Sequence, residues 1–417
     1  MTERSALLCE RVAAHFGPRG PDRLGIGVSG GSDSLGLLVL LADWSDHGGP
    51  EVSAVTVDHG LRPEAADEAR HVAMVCRELN ISHDVVIWDG WDGQGNLPDK
   101  ARRARYGLMA EWARTHEIGH VAVAHTLDDQ AETFVMRLAR EAGLDGLSAM
   151  ARHWRLDEVQ FCRPALSLSR DDLRSVLRAR KIDWVDDPSN SDTGFERVRV
   201  RQALDTLEEL GISARTLSNV AHHMGEVRET VYWYAFVAAR DCVRFQSGDV
   251  IIDRATFRTL PRDIARRLVQ QVLHWLSGAE YPPRGRSVDL LLEAIRGGTN
   301  MTLHGCMMTV DATTLRFSRE FMAVAQARCR PEAPWDGRWR LQGPWGQGVE
   351  IAALGEGGLE NCPDWRDSGL PASSLAAGPA VWRGQRLIAA PLAGLRNGWQ
   401  ATLIRDEDHF FAAFLAH

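Results

Sequence analysis

Lysine is nearly absent from this chain. Lys100 and Lys181 are the only lysines among 417 residues, and every other cation of the 48 is arginine. Arginine makes two-pronged contacts with phosphate and stacks on nucleic-acid bases, but a genomic preference for arginine codons produces the same bias without a functional reason. The bias as a whole therefore identifies no partner, and only local clusters of arginine are informative.

Paired cysteines are also lacking. The seven cysteines never occur as C-x-x-C, which is the spacing typical of zinc ribbons, cysteine-ligated iron–sulfur sites and dithiol redox motifs. The sequence therefore argues against these three kinds of site. We expect the cysteines to be buried or inert thiols.

Long apolar runs are missing as well. No run reaches the roughly 18 residues of a membrane span, and the N-terminal segment MTERSALLCERVAAHF has the pattern of an amphipathic helix without a signal-peptide core. We expect a cytoplasmic protein with no membrane partner. The composition, 44% hydrophobic and 25% charged, is typical of a soluble globular protein, and the net charge of −8 excludes a molecule that is basic overall.

Short apolar strands alternate with helical patterns in the first 140 residues. This order predicts an α/β fold, namely a Rossmann-like parallel sheet with helices on both faces. Ligands of such sheets bind at the carboxyl ends of the strands. The predicted strands are 24–28, 52–57, 83–88 and 120–124, and the predicted helices are 35–46, 63–80, 97–117 and 127–140.

The chain changes character after about residue 152. A helix is predicted at 169–181, and FERVRVR (195–201) opens a long helix that runs to about residue 240. Arginine is frequent from there to CRPEAPWDGRW (329–339), a Pro-containing boundary before a Gly-, Pro- and Trp-rich end. We predict three domains: residues 1–203, a mainly helical middle domain at 204–330, and a small β-rich or mixed domain at 331–417.

A turn of small residues joins the first strand to the first apolar helix of the sheet. It consists of Ser29, Gly30, Gly31, Ser32, Asp33 and Ser34. The two glycines let the main chain wrap an anion, and backbone N–H groups, the helix dipole and the serine hydroxyls favour phosphate there. The acid fits such a cradle if a divalent cation bridges it to phosphate. Gly-Lys-Ser/Thr is missing, so the turn is not a Walker A loop; a plain linker is the alternative.

A second polar cluster follows the fourth strand, where AHTLDDQAET contains His125, Asp128, Asp129 and Glu132. The helix dipole favours acids in the first turn, and Thr126 is a suitable cap. Capping explains one acid, but it does not explain four such groups at the carboxyl end of a strand. We predict a metal ligand and a base for an incoming nucleophile in this cluster.

Three further features each keep two interpretations. His59 follows the second strand and is either incidental or part of the site. Arg102 and Arg105, in DKARRARYGLMAEW, form either a solvated basic face or a contact with polyphosphate or nucleic acid. Asp186 and Asp187, before a proline, form either an Asx-type turn or a functional pair.

Four motifs follow one another along the chain: SGGSDS, VDHGLR, AR-x-x-RY and AHTLDDQAET. Together and in this order they resemble the motifs of the N-type ATP pyrophosphatase (PP-loop) family, and within it those of the lysidine synthetases, which modify tRNA. GLDGLSAM (143–150), RPAL (163–166) and WVDDPSN (184–190) extend the resemblance to about residue 200. The later region resembles the substrate-binding domains of these enzymes more loosely. One departure is Val198, where the family commonly has Asn; it concerns the local contacts of FERVRVR and not the resemblance as a whole.

The resemblance implies ATP and Mg²⁺ as cofactors, with an isoleucine tRNA of CAU anticodon and free L-lysine as partners. The oxygen on carbon 2 of the wobble cytidine would attack the α-phosphate, and pyrophosphate would leave. The ε-amine of lysine would then displace AMP and give lysidine, which pairs with A instead of G. Residues 1–203 would be the catalytic domain, and the two later domains would bind tRNA. The oligomeric state is left open.

The resemblance and the positions together imply roles for individual residues. ATP binding is expected of Ser29, Gly30, Gly31, Ser32, Asp33, Ser34, His59 and His125. Catalysis is expected of Asp33, Arg105 and Asp129, with Asp33 also on the metal, and contact with lysine or metal is expected of Asp128, Asp129 and Glu132. Candidates for the tRNA backbone are Arg197, Arg199, Arg201, Arg262 and Arg266.

Three other functions compete with this one. A tRNA thiolase of the same class would need catalytic cysteines or a cluster, and the missing C-x-x-C argues against it. An amidotransferase-type synthetase would need a glutaminase domain or an ammonia partner, and no such domain is evident. A non-catalytic RNA- or nucleotide-binding module is disfavoured because Asp33, Asp128 and Asp129 are intact.

Overall fold

The computed structural model describes residues 2–60, 65–88, 90, 97–185, 194, 196–279, 281–283, 285–330 and 333–415. The chain forms two compact units, Met1–Arg228 and Glu229–Ala416. Asp186 and Asp187 of the sequence analysis lie outside the described residues, as do Leu61 and Arg62 at the end of VDHGLR. Among the described helices, none combines the length and the apolar character that crossing a bilayer requires.

The N-terminal unit is built on a six-stranded sheet of order β3-β2-β1-β4-β6-β5. Neighbouring strands are parallel except β5 and β6, which form an antiparallel hairpin at one edge. The elements are α1 (Glu3–Ala14), β1 (Arg23–Gly27), α2 (Ser32–Asp46), β2 (Glu51–Asp58), α3 (Ala65–Glu78), β3 (Ser82–Ile87), α4 (Leu97–Thr115), β4 (His120–Ala122), α5 (Leu127–Leu138), α6 (Leu144–Leu147), β5 (His153–Leu156), β6 (Val159–Cys162), α7 (Arg170–Arg180), α8 (Glu196–Glu209) and the first part of α9 (Ala214–Cys242). From Glu229 onward, α9 belongs to the C-terminal unit.

Both faces of this sheet are covered, because successive strand residues point to opposite sides. On β2, Ala54 belongs to a core that also contains side chains of α1, α2, α3 and α7. The next residue, Val55, belongs to a separate core with Tyr106, Met109 and Trp112 of α4. Helices therefore lie on the two faces, as the sequence predicts.

Helices α2 and α7 pack closely on one face, and a glycine makes that approach possible. A Cβ added at Gly36 would lie 2.8 Å from the Cβ of Leu173 and 3.0 Å from its carbonyl oxygen, which is closer than real side chains tolerate. The packing brings the first turn of α7 beside the first turn of α2. No local sequence pattern between α2 and α7 predicts that the two helices pack together.

The C-terminal unit contains antiparallel sheets and helices. The five-stranded sheet has the order β7-β8-β11-β10-β9, and smaller sheets are formed by β12-β14-β15-β16 and by β13 with β17. The elements are β7 (Val243–Gln246), β8 (Asp249–Asp253), α10 (Arg254–Thr259), α11 (Arg262–Ser277), α12 (Gly285–Gly297), β9 (Met301–Leu303), β10 (Cys306–Val310), β11 (Thr314–Arg319), α13 (Phe321–Val324), β12 (Arg328–Cys329), β13 (Trp339–Gln342), β14 (Val349–Ala353), α14 (Gly355–Leu359), α15 (Ala372–Ala376), β15 (Pro379–Arg383), β16 (Arg386–Ala389), β17 (Gln400–Leu403) and α16 (Glu407–Ala412), with short 3₁₀ turns at Trp365–Ser368 and Pro391–Ala393.

The predicted fold class is confirmed, and three details differ from the sequence analysis. Strands β5 and β6 were not predicted, and the helical middle region also contains the five-stranded sheet. The single helix expected from residue 195 to 240 is two helices. Gly211, at φ +80°, follows the end of α8, and Ser213 Oγ accepts the Thr216 N–H at the start of α9. The division into three domains stays a prediction.

The cysteines behave as expected for structural thiols. All seven are free, and six are buried. Burial raises the pKa of the Cys9 thiol to about 11 and that of Cys76 to about 12. Such thiols are protonated at neutral pH and are poor nucleophiles.

Candidate active site

A cleft of about 1280 Å³ lies at the carboxyl ends of β1, β2 and β4. The predicted polar clusters meet there, because the carboxyl ends of parallel strands share one edge of the sheet. The polar lining residues are Ser29, Ser32, Asp33, Ser34, Thr56, Asp58, His59, Glu68, Arg105, His125, Asp129, Arg170, Arg174, Arg197 and Arg201. The backbone of Gly31 lines it as well.

The turn after β1 is closed by its own serines. The Ser29 N–H donates to Ser34 Oγ at 3.1 Å, and Ser34 Oγ donates to the Gly31 carbonyl at 3.0 Å. Gly30 has φ +82°, in the left-handed region that glycine adopts at low cost. Helix α2 begins at Ser32, and no described side chain caps it. The turn therefore presents the positive end of α2 to the cleft, which suits a phosphate group.

Arg170, which the sequence analysis did not single out, connects Asp33 of the turn after β1 to the acids at the start of α5. Arg170 Nε donates to Asp33 Oδ2 at 3.1 Å, and its Nη2 lies 3.5 Å from Asp129 Oδ1 and 3.6 Å from Glu132 Oε1. Burial alone would lower the pKa of Arg170, but these carboxylates outweigh it and the pKa is raised. Burial raises the pKa of Asp33, and Arg170 opposes that shift.

The two neighbouring aspartates have different contacts. Asp129 forms a capping box with Thr126, whose backbone N–H donates to Asp129 Oδ2 at 2.9 Å, while Oδ1 faces the arginines. Asp128 Oδ2 instead accepts the backbone N–H of Arg170 at 2.7 Å. Burial tends to raise the pKa of Asp129, but the Thr126 hydrogen bond and the nearby cations lower it overall. Asp129 therefore faces the cleft as a carboxylate, and Asp128 anchors the start of α7.

Glu132 is the most deeply buried acid of the cluster, with 1% of its side chain exposed. Its Oε1 accepts a hydrogen bond from Arg201 Nε at 2.6 Å, and its Oε2 lies 3.4 Å from Arg197 Nε. A buried carboxylate is stable only when it is paired, and here three arginines surround it. The pair Arg197 and Arg201 projects from one face of α8 because the two residues are four positions apart.

The remaining predicted residues occupy the rim and walls. His59 lies edge-on to Trp88 with ring centroids 5.7 Å apart, and the Arg105 guanidinium lies 5.2 Å from the centroid of the Tyr106 ring. His125 Nδ1 accepts a hydrogen bond from Arg163 Nε at 3.1 Å. All three predicted residues line the cleft, on different elements.

The arginines predicted for tRNA fall into three environments. Arg197 and Arg201 line the cleft, whereas Arg199, between them on α8, donates to the Gly194 carbonyl at 3.0 Å. Arg262 and Arg266 belong to α11 of the C-terminal unit. Arg262 is exposed and lies 2.9 Å from Asp289, and Arg266 lies 3.9 Å from Asp263.

Sequence reasoning missed Arg163, Arg170 and Arg174. The helix that begins at Arg170 was predicted, and Ser169 and Asp172 form its capping box. Apart from Gly36, however, nothing in the sequence indicates that this helix packs against α2. Arg174 Nε donates to Ser32 Oγ at 3.2 Å, one turn along α7 from Arg170. The spacing of four residues was thus the one local clue that both arginines share a face.

Within the described parts of the chain, no group of three or more His, Cys, Asp or Glu side chains is arranged to hold a metal ion by itself. None of the seven cysteines, all of which the structure describes, lines the cleft. The groups that line it are the phosphate turn with Asp33, the carboxylates of Asp58, Glu68 and Asp129, and five arginines. Glu132, which is buried, is not among the lining residues.

Comparisons with known proteins agree with this arrangement. The PP-loop domain family matches residues 6–208. The chain is 47% identical over 410 residues to the tRNA(Ile)-lysidine synthase of Ruegeria pomeroyi, covering 98% of both chains. It is 36% identical over 339 residues to that of Bradyrhizobium sp. (strain BTAi1), covering 75% of this chain and 94% of the relative. It is 30% identical over 383 residues to that of Wolbachia pipientis wMel, covering 89% and 88%.

Proposed function

Because the chain belongs to the tRNA(Ile)-lysidine synthase family, we propose that its cleft joins free lysine to carbon 2 of the wobble cytidine of an isoleucine tRNA with a CAU anticodon. ATP is consumed to AMP and pyrophosphate through an adenylated tRNA. The product reads AUA instead of AUG. The observation that carries the proposal is the meeting of a phosphate turn and an acid–arginine cluster in one cleft.

The ATP half of the site is the turn after β1. Its N–H groups, the start of α2 and the hydroxyls of Ser29, Ser32 and Ser34 stabilise the charge of the departing pyrophosphate. Arg105, on the wall formed by α4, neutralises charge at the α-phosphate. His59 and His125 complete the contacts with the nucleotide.

The residues present fit a magnesium ion held mainly by phosphate. Mg²⁺ takes oxygen ligands and commonly uses one or two carboxylates together with substrate phosphates. Asp33 lies in the phosphate turn and offers such a carboxylate to the cleft, so it would hold the ion. When bound, the ion would supply positive charge to the leaving group.

The lysine half of the site is the cluster around Glu132. Lysine carries two ammonium groups and a carboxylate, and the cluster supplies carboxylates in Asp129 and Glu132 beside guanidinium groups of Arg197 and Arg201. An ε-ammonium of pKa about 10.4 must lose a proton before it attacks. Because the pKa of Asp129 is lowered, we assign it mainly to holding and orienting the amine. Proton acceptance is its second candidate role.

The tRNA must present its wobble base to this cleft. Bases of an anticodon loop are weakly stacked, so the cytidine can be turned outward into the site. We propose that residues 204–330 and 331–417 bind the rest of the tRNA and that Arg199, Arg262 and Arg266 contact its backbone. Arg197 and Arg201, which pair with Glu132, are better suited to the lysine carboxylate. Since the substrate is tRNA, we place the reaction in the cytoplasm.

A thiolase reaction is the runner-up in the same structural class. It would need a thiol or a cluster at the reacting carbon, and the cysteines that the structure describes lie away from the cleft lining. The lysine reaction instead needs paired carboxylates and cations, and such pairs, for example Asp129 with Arg170 and Arg197, lie at the cleft.

The test incubates the full chain with ATP, Mg²⁺, lysine and isoleucine tRNA carrying the CAU anticodon. AMP and pyrophosphate should form only with the tRNA, and labelled lysine should enter it. A matched tRNA with uridine at the wobble position is the control and should support neither reaction. Formation of ADP, or tRNA-dependent AMP without lysine transfer, contradicts the proposal.

A further inference from the structure

An arginine outside the cleft lining fixes the orientation of His125. Arg163 Nε lies 3.1 Å from His125 Nδ1. A guanidinium group only donates hydrogen bonds, so Nδ1 must be the acceptor in this pair. The neutral imidazole therefore carries its proton on Nε2, and the ring presents an N–H group at that nitrogen.

Arg163 is itself held on several sides, so this bond is not an incidental surface contact. The residue is 7% exposed, its Nη1 donates to the Ala151 carbonyl at 2.5 Å, and its guanidinium lies 3.9 Å from the Trp154 ring centroid. Its backbone N–H donates to the Arg152 carbonyl at 2.9 Å. The β5–β6 hairpin thus fixes a guanidinium directly behind a histidine that follows β4.

We propose that Arg163 is a positioning residue that makes His125 a neutral hydrogen-bond donor, through Nε2–H, to an oxygen of the nucleotide in the cleft. The inference deepens the proposed function and rests on it for the identity of the nucleotide. His125 lines the cleft and Arg163 does not, so the arginine acts through the histidine. A donor is the useful group there, because phosphate and ribose oxygens accept hydrogen bonds.

The electrostatics agree with the geometry. Burial and, after it, the positive charge of Arg163 lower the pKa of His125 to about 3, against an opposing effect of Asp129. Protonation of the ring would replace the Nδ1 acceptor by a second donor facing a guanidinium. His125 therefore stays neutral at physiological pH and donates without adding charge to the site.

The test observes the ring directly in the full chain labelled with ¹⁵N-histidine. His125→Gln assigns the signal by its loss, and the imidazole ¹⁵N shifts report which nitrogen carries the proton. We expect the Nε2–H form in the unsubstituted protein at pH 7. In Arg163→Met the shifts should move toward a mixture of the two neutral tautomers, and the histidine should begin to titrate between pH 5 and 7. The matched control is Arg137→Met, which removes a half-buried arginine that donates to two carbonyls, those of Gly146 and Ala149.

Kinetic measurements distinguish a positioning role of Arg163 from a general loss of structure in the variant. Arg163→Met should raise the KM for ATP roughly 3- to 10-fold, the effect of one lost hydrogen bond, and change the KM for lysine little. In an His125→Leu background the same substitution should leave the KM for ATP nearly unchanged. An Nδ1–H tautomer in the unsubstituted protein, or equal ATP effects of Arg163→Met in both backgrounds, overturns the inference. A His125 signal of the expected tautomer that ATP does not shift instead contradicts the nucleotide role proposed for His125, which keeps the two failures distinct.

Discussion

Arg170 Nε donates a hydrogen bond to Asp33 Oδ2 at 3.1 Å across 137 positions of sequence. The bond joins the first turn of α7 to the first turn of α2, and through Asp129 and Glu132 it also reaches α5. Three carboxylates this close together would repel one another if they were left alone in a partly buried site. Arg170, with Arg197 and Arg201 of α8, places positive charge between and beside them.

Asp33 is expected to be essential for the chemical step and dispensable for tRNA binding. Asp33→Ala removes the carboxylate proposed for magnesium, so AMP formation should fall by at least about 100-fold. Filter binding of tRNA should change by less than about 2-fold, since the ligand proposed for this acid is the magnesium ion on ATP and not the tRNA backbone. The control is Asp171→Ala on the exposed face of α7, where Asp171 pairs with Arg178. Equal losses of turnover in both variants contradict this role.

Arg170 is expected to support both stability and ATP binding. Arg170→Gln leaves Asp33 and Glu132 with fewer partners, and because 21% of the Arg170 side chain is exposed, the cost should be about 1–3 kcal/mol in the free energy of unfolding. The KM for ATP should rise together with the loss of stability. Arg170→Lys, which keeps the charge without the fork of donors, should recover part of the loss.

The matched comparison for that prediction is Arg178→Gln, on the same helix but exposed. It should leave the thermal midpoint and the KM for ATP nearly unchanged, as surface ion pairs contribute little. An Arg170→Gln variant that is as stable and as active as Arg178→Gln would show that the bridge to Asp33 has no role.

Glu132 is expected to act on the second half-reaction only. Glu132→Gln should raise the KM for lysine roughly 10- to 100-fold, the effect of losing a charge-assisted contact with an ammonium group. Adenylation of tRNA, followed as pyrophosphate release without lysine, should stay within about 3-fold. Glu196→Gln, an exposed acid of α8 that pairs with Arg140, should affect neither. If Glu132→Gln lowers adenylation as strongly as lysine transfer, the acid does not belong to a separate lysine site.

Stability should fall as the pH is lowered below neutrality, and His15 provides a test away from the cleft. His15 follows α1, and its ring lies against that of His153 at an interplanar angle of 33°, with ring centroids 4.4 Å apart. Burial, with His153 and Arg152, lowers the pKa of His15 to about 3, whereas an unfolded histidine titrates near pH 6.5. The unfolded chain therefore binds the extra proton between these values, and stability present above pH 6.5 is lost as pH falls toward 3.

At pH 5 this linkage costs at most about 2 kcal/mol for one such histidine. Urea unfolding at pH 7 and pH 5 should show a smaller pH-dependent loss in His15→Gln than in the unsubstituted chain. His47→Gln, at the C-terminus of α2, is the comparison variant and should keep the full loss. Identical pH dependence in His15→Gln and the unsubstituted chain argues against a neutral His15 in the fold.

The features that could be predicted from the sequence are those that depend on local residue patterns. Strands β1 to β4 were found because buried strands alternate with helices, and the residues that follow them, such as Ser29, His59 and His125, were predicted to converge because parallel strands end at one edge. In β5 and β6 the polar residues Arg155 and Gln160 interrupt the apolar residues, so both strands lack the apolar run that marks the still shorter β4. The hairpin also turns at Asp157, which has a positive φ that no local rule required.

Contacts between distant helices explain what the sequence did not predict. Arg170 reaches Asp33 only because Gly36 allows α7 to pack against α2. The helical period, by contrast, separates Arg197 and Arg201 from Arg199, and this was available from FERVRVR alone. The different roles of the neighbours Asp128 and Asp129 could not be predicted from the sequence. They differ because Asp128 accepts a hydrogen bond from the Arg170 backbone, and this bond depends on the same helix packing.

The most direct measurement follows the fate of lysine labelled with ¹⁵N at the ε-position. After reaction with ATP and isoleucine tRNA of CAU anticodon, the tRNA is digested to nucleosides and each is analysed by mass spectrometry and ¹⁵N NMR. The account predicts one modified cytidine, from the wobble position, with the labelled nitrogen bonded to carbon 2. A labelled ε-nitrogen that stays a free amine, on lysine attached through its α-amino group or as an ester, would contradict it. Label at another nucleoside or an unmodified wobble cytidine would contradict it as well.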